Sequence, residues 1–279
     1  MATVGTTLKS AYQKPMKALD NLGEELAFFV KALAWIPRAI AHYKKEILRL
    51  LAEVTLGSGS LAVIGGTVGV IGALTFFTGT NVGLQGYAAL NQLGTAAFSG
   101  FVSAYFNTRE IAPLVAGIAL AATVGCGFTA QLGAMRISEE VDALEVMAVP
   151  SLPYLVTTRV VAGLIAVVPL YVVGLLSSYF ATRLTVTQFF GQSPGTYDHY
   201  FTQFLPPGDV LWSFGKVLVF AVVVILIHCY HGYNASGGPA GVGVAVGRAV
   251  RTSIVAINVI DLFLSMAIWG TTTTVRLAG

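Results

Sequence analysis

Glu139, Glu140, Asp142 and Glu145 place four of the chain's 13 acidic residues within seven positions. The stretch that holds them, Gln131–Pro150, lies between long apolar runs. Carboxylates at this density would be very costly inside a bilayer, so the stretch belongs in water at a membrane face. It reads as a short amphipathic helix over residues 138–149. Ser138 is the expected N-cap, and Glu139 and Glu140 sit in the first turn, where negative charge suits the helix dipole. Pro150 and Pro153 end the helix. Val141, Leu144, Met147 and Ala148 make one apolar face, and the acids occupy the rest. An apolar ridge flanked by acids is what a groove with basic edges would grip. The alternative is a solvated loop helix, whose apolar face would then need another cover.

Arg109, Glu110 and Asp261 are a second candidate set, because they fall inside apolar segments. Intramembrane charges usually pair, and face a bundle interior or a wet cavity. Neighbouring helical residues point about 100° apart, so Arg109 and Glu110 must look to different places. The expectation is an Arg109–Asp261 pair across two spans, with Glu110 toward a cavity. That set is either a register-fixing ion pair or part of a substrate cavity, and one pair can serve both roles. His228 and His231 stand i,i+3 and could chelate a metal, but no third ligand is near, and interface-facing histidines are the alternative. The Gly-rich run Gly65–Gly72 has no lysine after it, and Gly215-Lys216 lacks the upstream glycine and the Ser/Thr of a phosphate-binding loop. Neither a zinc-protease helix motif nor a nucleophile elbow occurs, so no enzyme active site is visible and no metal site is expected.

These residues need elements to hold them, and the composition says which. Hydrophobic residues are 55% of the chain and charged residues 10%, against about 25% charged in soluble domains. Near-continuous apolar runs argue against a barrel, whose strands would alternate. Cys126 and Cys229 both lie in apolar runs, so no disulfide framework is indicated. The net charge of +3 comes without a basic-aromatic arrangement, which leaves no nucleic-acid reading. The fold class is an all-α membrane protein. Residues 1–53 hold 8 of the 16 Lys and Arg and read as amphipathic interfacial helices, with a bend at Pro37. Residues 54–279 hold five spans, at about 54–78, 93–130, 155–181, 210–231 and 253–274. Gly57, Gly65, Gly66, Gly69 and Gly72 would let the first span pack closely, and Pro113 would kink the second. The segment Gly79–Asn91 reads as an uncharged loop, and Arg248 and Arg251 as the end of the fourth loop. Positive charge puts the amino terminus and the acidic segment in the cytoplasm, and the carboxyl terminus and residues 185–209 outside. Trp212 and Trp269 then fall near the outer interface.

The runs 109–113 and 129–147 together resemble the signature of the MlaE/YrbE permease family, as do Leu84-Gln85-Gly86-Tyr87 and the Gly-rich run 237–243. Residues 42–50, 191–201 and 232–243 resemble the B-type YrbE subunits of actinobacterial Mce transporters, and look most similar to the sterol-import branch. The resemblance covers nearly all of the chain after residue 40. It implies an interfacial helix, five spans and a coupling helix between spans two and three. It implies an ABC transporter permease of the plasma membrane that imports a lipid such as a sterol or fatty acid. Its partners would be a paralogous YrbE-type permease, a cytoplasmic ATPase dimer holding ATP and Mg, and extracytoplasmic Mce-domain proteins. No cofactor is expected in this chain itself. Glu139, Glu140, Val141, Asp142, Leu144, Glu145 and Met147 would couple to the ATPase. Three departures stand out: Ala112 replaces a common Gly, Thr123 an Arg and Gln131 a Glu. Losing an Arg and a Glu implies an asymmetric pair.

Two other function classes compete. A stand-alone secondary transporter or channel would usually show internal repeats, and five spans divide poorly into halves. An intramembrane enzyme or scaffold would need a nucleophile or a metal set.

Overall fold

In apolar surroundings each segment must satisfy its own backbone polar groups, and helices do so. The computed structural model describes residues 23–56 and 66–270, which contain helices and no strand. Five of the helices are long and apolar enough to cross a bilayer.

Residues 23–34 form α1, Ile36–His42 α2 and Lys44–Leu56 α3. The expected bend falls at Trp35, with Pro37 in the first turn of α2, where its missing N–H is harmless. Ile47, Leu50 and Val54 are the buried face of α3, which packs on the third span. Val54–Leu56 therefore end an amphipathic helix rather than begin a span. The first span is α4, Gly66–Gln92. The segment 79–91, read from sequence as a loop, is its second half. A stretch without charge carries no signal to separate loop from span. Gly57 and Gly65 lie outside the described residues. The close approach is made by Gly79 instead, where a Cβ would come within 2.5 Å of the Ser178 carbonyl oxygen on the third span.

The second span, α5, runs Ala96–Ile137. Its wide π-helical turns, Ser103–Ile111 and Ala121–Gly125, keep it continuous through Pro113. Glu140–Val146 is α6, a helix of seven residues. The third span, α7, covers Pro153–Phe189, then α8 Pro194–Gln203. The fourth, α9, covers Pro207–Tyr233. The fifth, α10, covers Gly238–Trp269, so Arg248 and Arg251 lie on a helix and not in a loop. Thr271–Thr274, the expected end of that span, are outside the described residues.

Spans two, three and four bury 50–56% of their most apolar windows, against 28% for α4 and 17% for α10. The core is therefore α5, α7 and α9, with α4 packed along α7, and α10 along α9 and the second half of α5. Helices α1–α3 share one end of the bundle with α6: Ala32 accepts from Thr157 Oγ1 at 2.9 Å, and Phe28 meets Tyr230 and Tyr233. Helix α8 covers the other end, seated on the start of α5.

Candidate functional site

Toward the α8 end, α5, α9 and α10 meet in a charged lattice. Arg109 does not pair with Asp261. Its Nη2 lies 2.6 Å from Asp209 Oδ2, and its Nε donates to the same oxygen at 2.8 Å. Asp209 stands in the first turn of α9, where a carboxylate suits the helix dipole. Trp269 Nε1 donates to Asp209 Oδ1 at 3.0 Å, and the guanidinium lies 4.1 Å from the Tyr105 ring centroid.

Asp261 pairs instead with Lys216, at 2.8 Å. Lys216 is the hub of the lattice, with its side chain fully buried. Its Nζ donates to Ser265 Oγ at 2.8 Å and, more weakly, to Glu110 Oε2 at 3.4 Å. Ser265 Oγ in turn donates to Glu110 Oε1 at 2.7 Å. Lys216 also donates to the Arg109 carbonyl at 2.7 Å. That carbonyl would ordinarily accept from the residue four positions on, which is Pro113 and has no N–H. The lysine supplies a donor at the place the proline removes one.

Lys216 and Asp209 were missed in the sequence reading. The signal for Lys216 was available, since it lies inside the apolar window that defines the fourth span. Arg159 is a second missed charge, inside the third span. Its Nη1 donates to the Leu155 carbonyl at 2.7 Å and its Nη2 to Gln131 Oε1 at 3.2 Å, while Gln131 Nε2 donates to Glu53 on α3. Gln131 on α5 is thus joined to both α7 and α3.

Beside the lattice, α4 and α5 enclose an open, mostly apolar cleft of about 590 Å3. Val82, Gly86 and Leu90 line one wall, and Phe106, Ile111, Leu114 and Val115 the other. Around residues 106–115 of α5, only Phe106, Glu110, Ile111, Leu114 and Val115 are half-buried or exposed, whereas Asn107, Thr108, Arg109, Ala112 and Pro113 are buried. Glu110 is half-buried as well, but it is not among the residues that line the cleft, and its carboxylate turns to Lys216 on α9 and Ser265 on α10.

At the other end, α6 differs from its expected form. Ser138 is not its N-cap: its Oγ donates back to the Ala134 carbonyl at 2.9 Å, closing α5. Glu139, at φ 61°, starts α6, and Ala148, at φ 58°, follows it. They are the two non-glycine residues in the left-handed region among the described residues. Such conformations cost on the order of 1–3 kcal/mol and persist where the surroundings enforce them. The apolar residues do not form a single outward ridge. Val141 is buried and Leu144 packs against the core, whereas Val146, Met147 and Ala148 are exposed. The helix ends at Val146, so Met147 and Ala148 leave its inner face. Asp142 pairs with Arg136 at 2.6 Å. Glu145 Oε1 accepts from Ser151 Oγ at 2.6 Å, and Ser151 contacts the Tyr233 hydroxyl at 2.7 Å. Glu139 and Glu140 are exposed.

His228 is buried, with Nδ1 2.8 Å from Thr129 Oγ1, and its ring takes the space a Cβ on Gly125 would fill. Among the described residues no three His, Cys, Asp or Glu gather as metal ligands. Cys126 and Cys229 are free thiols.

Five spans, an open apolar cleft between two of them and a short helix of exposed acids at one end define a multi-pass membrane protein of the permease class. The chain belongs to the Permease MlaE family, whose pattern matches residues 58–267. A probable ABC transporter permease of Rickettsia bellii is 29% identical over 253 residues, 91% of this chain and 94% of that protein. The chloroplastic protein trigalactosyldiacylglycerol 1 of Arabidopsis thaliana is 30% identical, over 71% of this chain and 57% of that one. The intermembrane phospholipid transport system permease MlaE of Haemophilus influenzae is 27% identical, over 70% and 75% of the two chains.

Proposed function

We propose that this chain is the membrane-spanning permease subunit of an ATP-driven lipid importer of the Mce type. A second, paralogous YrbE-type permease would face the cleft. A cytoplasmic ABC ATPase dimer would bind ATP and Mg and hydrolyse the nucleotide, and Mce-domain proteins would stand outside the membrane. The observation that carries the reading is the cleft between α4 and α5. At about 590 Å3 it lies in the roughly 300–1,000 Å3 range of small-ligand sites. It is open and mostly apolar, as a lipid chain or ring system requires. Its size and lining suit a single hydrophobic body such as a sterol or a fatty acid. The phospholipid named for the Haemophilus relative is a competing cargo.

Helix α6 would couple to the ATPase through Val146, Met147 and the exposed carboxylates of Glu139 and Glu140, with Val141 and Leu144 as its inward anchors. The strained residues at its two ends support a functional role for its placement. With half of the Lys and Arg in residues 1–53, the α6 end is the cytoplasmic one and the α8 end lies outside the plasma membrane.

The test is affinity purification in mild detergent with mass spectrometry of what accompanies the chain, followed by transport assays in proteoliposomes. A second permease and an ATPase should copurify, and lipid movement should require ATP. Transport by the chain alone, without nucleotide, would overturn the ABC reading in favour of a secondary transporter.

A further inference from the structure

Behind the cleft a buried relay ties three spans at one level. Asn107 on α5 donates from Nδ2 to Thr182 Oγ1 on α7 at 2.9 Å. Thr182 Oγ1 donates onward to the Gly79 carbonyl on α4 at 2.7 Å. All three residues are buried. Their neighbours in sequence wall the cleft: Thr78 and Val82 on α4, Phe106 and Ile111 on α5. The wide turns over 103–111 make this division possible. A π-helix bonds i→i+5, so residues five apart, such as Phe106 and Ile111, sit nearly above one another. An α-helix would align residues three and four apart instead. Asn107 and Thr108 are thereby turned to α7, where Thr108 Oγ1 lies 2.5 Å from the Tyr179 hydroxyl.

The two seams of α7 differ. Helix α4 already meets α7 at backbone contact, since a Cβ on Gly79 would lie 2.5 Å from the Ser178 oxygen. That seam cannot close further. The place of α5 against the α4–α7 pair is set by side chains, and the bond from Asn107 is the one passed on to α4. Asn107 Oδ1 finds no partner among the described residues. A leucine of like size would avoid the cost of burying an amide. The amide at this point therefore serves geometry rather than stability.

We propose that Asn107, acting through Thr182, is a positioning residue that sets the separation of the two cleft walls, and with it the girth of the hydrophobic body the cleft accepts. Neither side chain lines the cleft. They act on its shape from behind, by holding α5 at a fixed distance from the α4–α7 pair. The proposal rests on the lipid-permease reading and adds to it the residues that fix the width of the site.

The test uses the permease purified with its partner subunits in nanodiscs. Binding is measured for two probes with the same hydroxyl head and different girth, hexadecanol and cholesterol, and the ratio of their affinities is the readout. A merely structural role would weaken both probes alike and leave the ratio alone. N107L and T182V should each move the ratio several-fold, in the same direction. The double variant should move it no further than either single, because both break one relay. T182S keeps the hydroxyl and should keep the wild-type ratio. A covalent tie between the walls should replace the relay. A Cβ on Gly86 would lie 3.5 Å from Val102 Cβ, inside the disulfide range of about 3.5–4.5 Å. With Cys126 and Cys229 changed to alanine, the oxidised G86C/V102C pair should fix the ratio, so that adding N107L no longer moves it. A ratio unmoved by N107L and T182V, shifts that simply add, or a shift that survives the disulfide would each overturn the proposal and leave the permease reading standing. Failure of both probes to bind the wild-type complex would overturn both. The comparison of T182V with T182S stands by itself if N107L does not assemble.

Discussion

Charge is used in opposite ways at the two ends of this molecule. At the α8 end Arg109, Lys216, Asp209, Glu110 and Asp261 are drawn into a lattice among three spans, with Lys216 fully buried at its centre. At the α6 end Glu139, Glu140, Asp142 and Glu145 lie at the surface, and among the described residues the side-chain partners of the last three are neighbours within a few residues of sequence. Removing a partner from a buried pair strands a charge, whereas an exposed carboxylate keeps its water. The first region should therefore be fragile to single substitutions and the second tolerant of them, unless a protein partner makes the second matter.

The largest effect is expected at Lys216. Lys216→Met leaves Asp261 and Glu110 without their cation and the Arg109 carbonyl without the donor that stands in for Pro113. Loss of one partner from a buried pair costs about 3–5 kcal/mol. A large fall in apparent Tm in detergent should follow. The triple change Lys216→Met, Glu110→Gln, Asp261→Asn should recover part of it, because no stranded charge remains. A single mutant as stable as wild type would mean that the lattice is not what holds α9 to α10.

A double-mutant cycle separates the two pairings open to Arg109. Arg109→Ala with Asp209→Ala should depart from additivity by about 0.5–3 kcal/mol. The cycle with Asp261→Ala should show the smaller coupling, since Asp261 lies on Lys216. The reverse order would restore the pairing that sequence alone suggested.

The fold was largely legible because its signals are local. Long apolar windows marked the five spans, and the acids between spans two and three marked α6. The boundaries failed where local signals cancel. The uncharged segment 79–91 resembles loop and span equally, and Arg248 and Arg251 mimicked a loop although they ride on α10. The lattice was half legible. Arg109, Glu110 and Asp261 stood out as charges at membrane depth. Their pairing did not, because Arg109 and Asp209 are 100 residues apart and nothing in spacing fixes which helices meet. The inward turn of Val141 and Leu144 was hidden for a related reason. Periodicity finds an apolar face but not what covers it, and here the protein's own core does.

That correction reshapes the test of α6. Leu144→Asp would force a carboxylate against the core, and should lower stability along with transport. Met147→Asp changes an exposed residue, and should leave stability within about 0.5 kcal/mol of wild type while uncoupling ATP hydrolysis from lipid movement. Val146→Asp should behave like Met147→Asp. If Met147→Asp and Val146→Asp both transport normally in the assembled complex, the docking role falls away from this surface.

The smallest effect lies outside the lattice, on α8. Asp198 meets Arg183 through two hydrogen bonds of 2.8 Å, with both side chains about half exposed. The guanidinium holds the Asp198 carboxyl below the usual carboxylate range. A depressed folded-state value means the pair contributes above the unfolded carboxylate pKa of about 3.9 and loses that contribution as pH falls through the folded value. Exposed pairs are worth about 0.2–1 kcal/mol and are screened by salt. Asp198→Asn should therefore lower apparent Tm slightly at pH 7 and low ionic strength. The gap to wild type should close as pH drops below about 4, and should shrink at high salt. A gap that persists unchanged down to pH 3 would show that Asp198 acts by packing α8 onto the end of α7, and not by its charge.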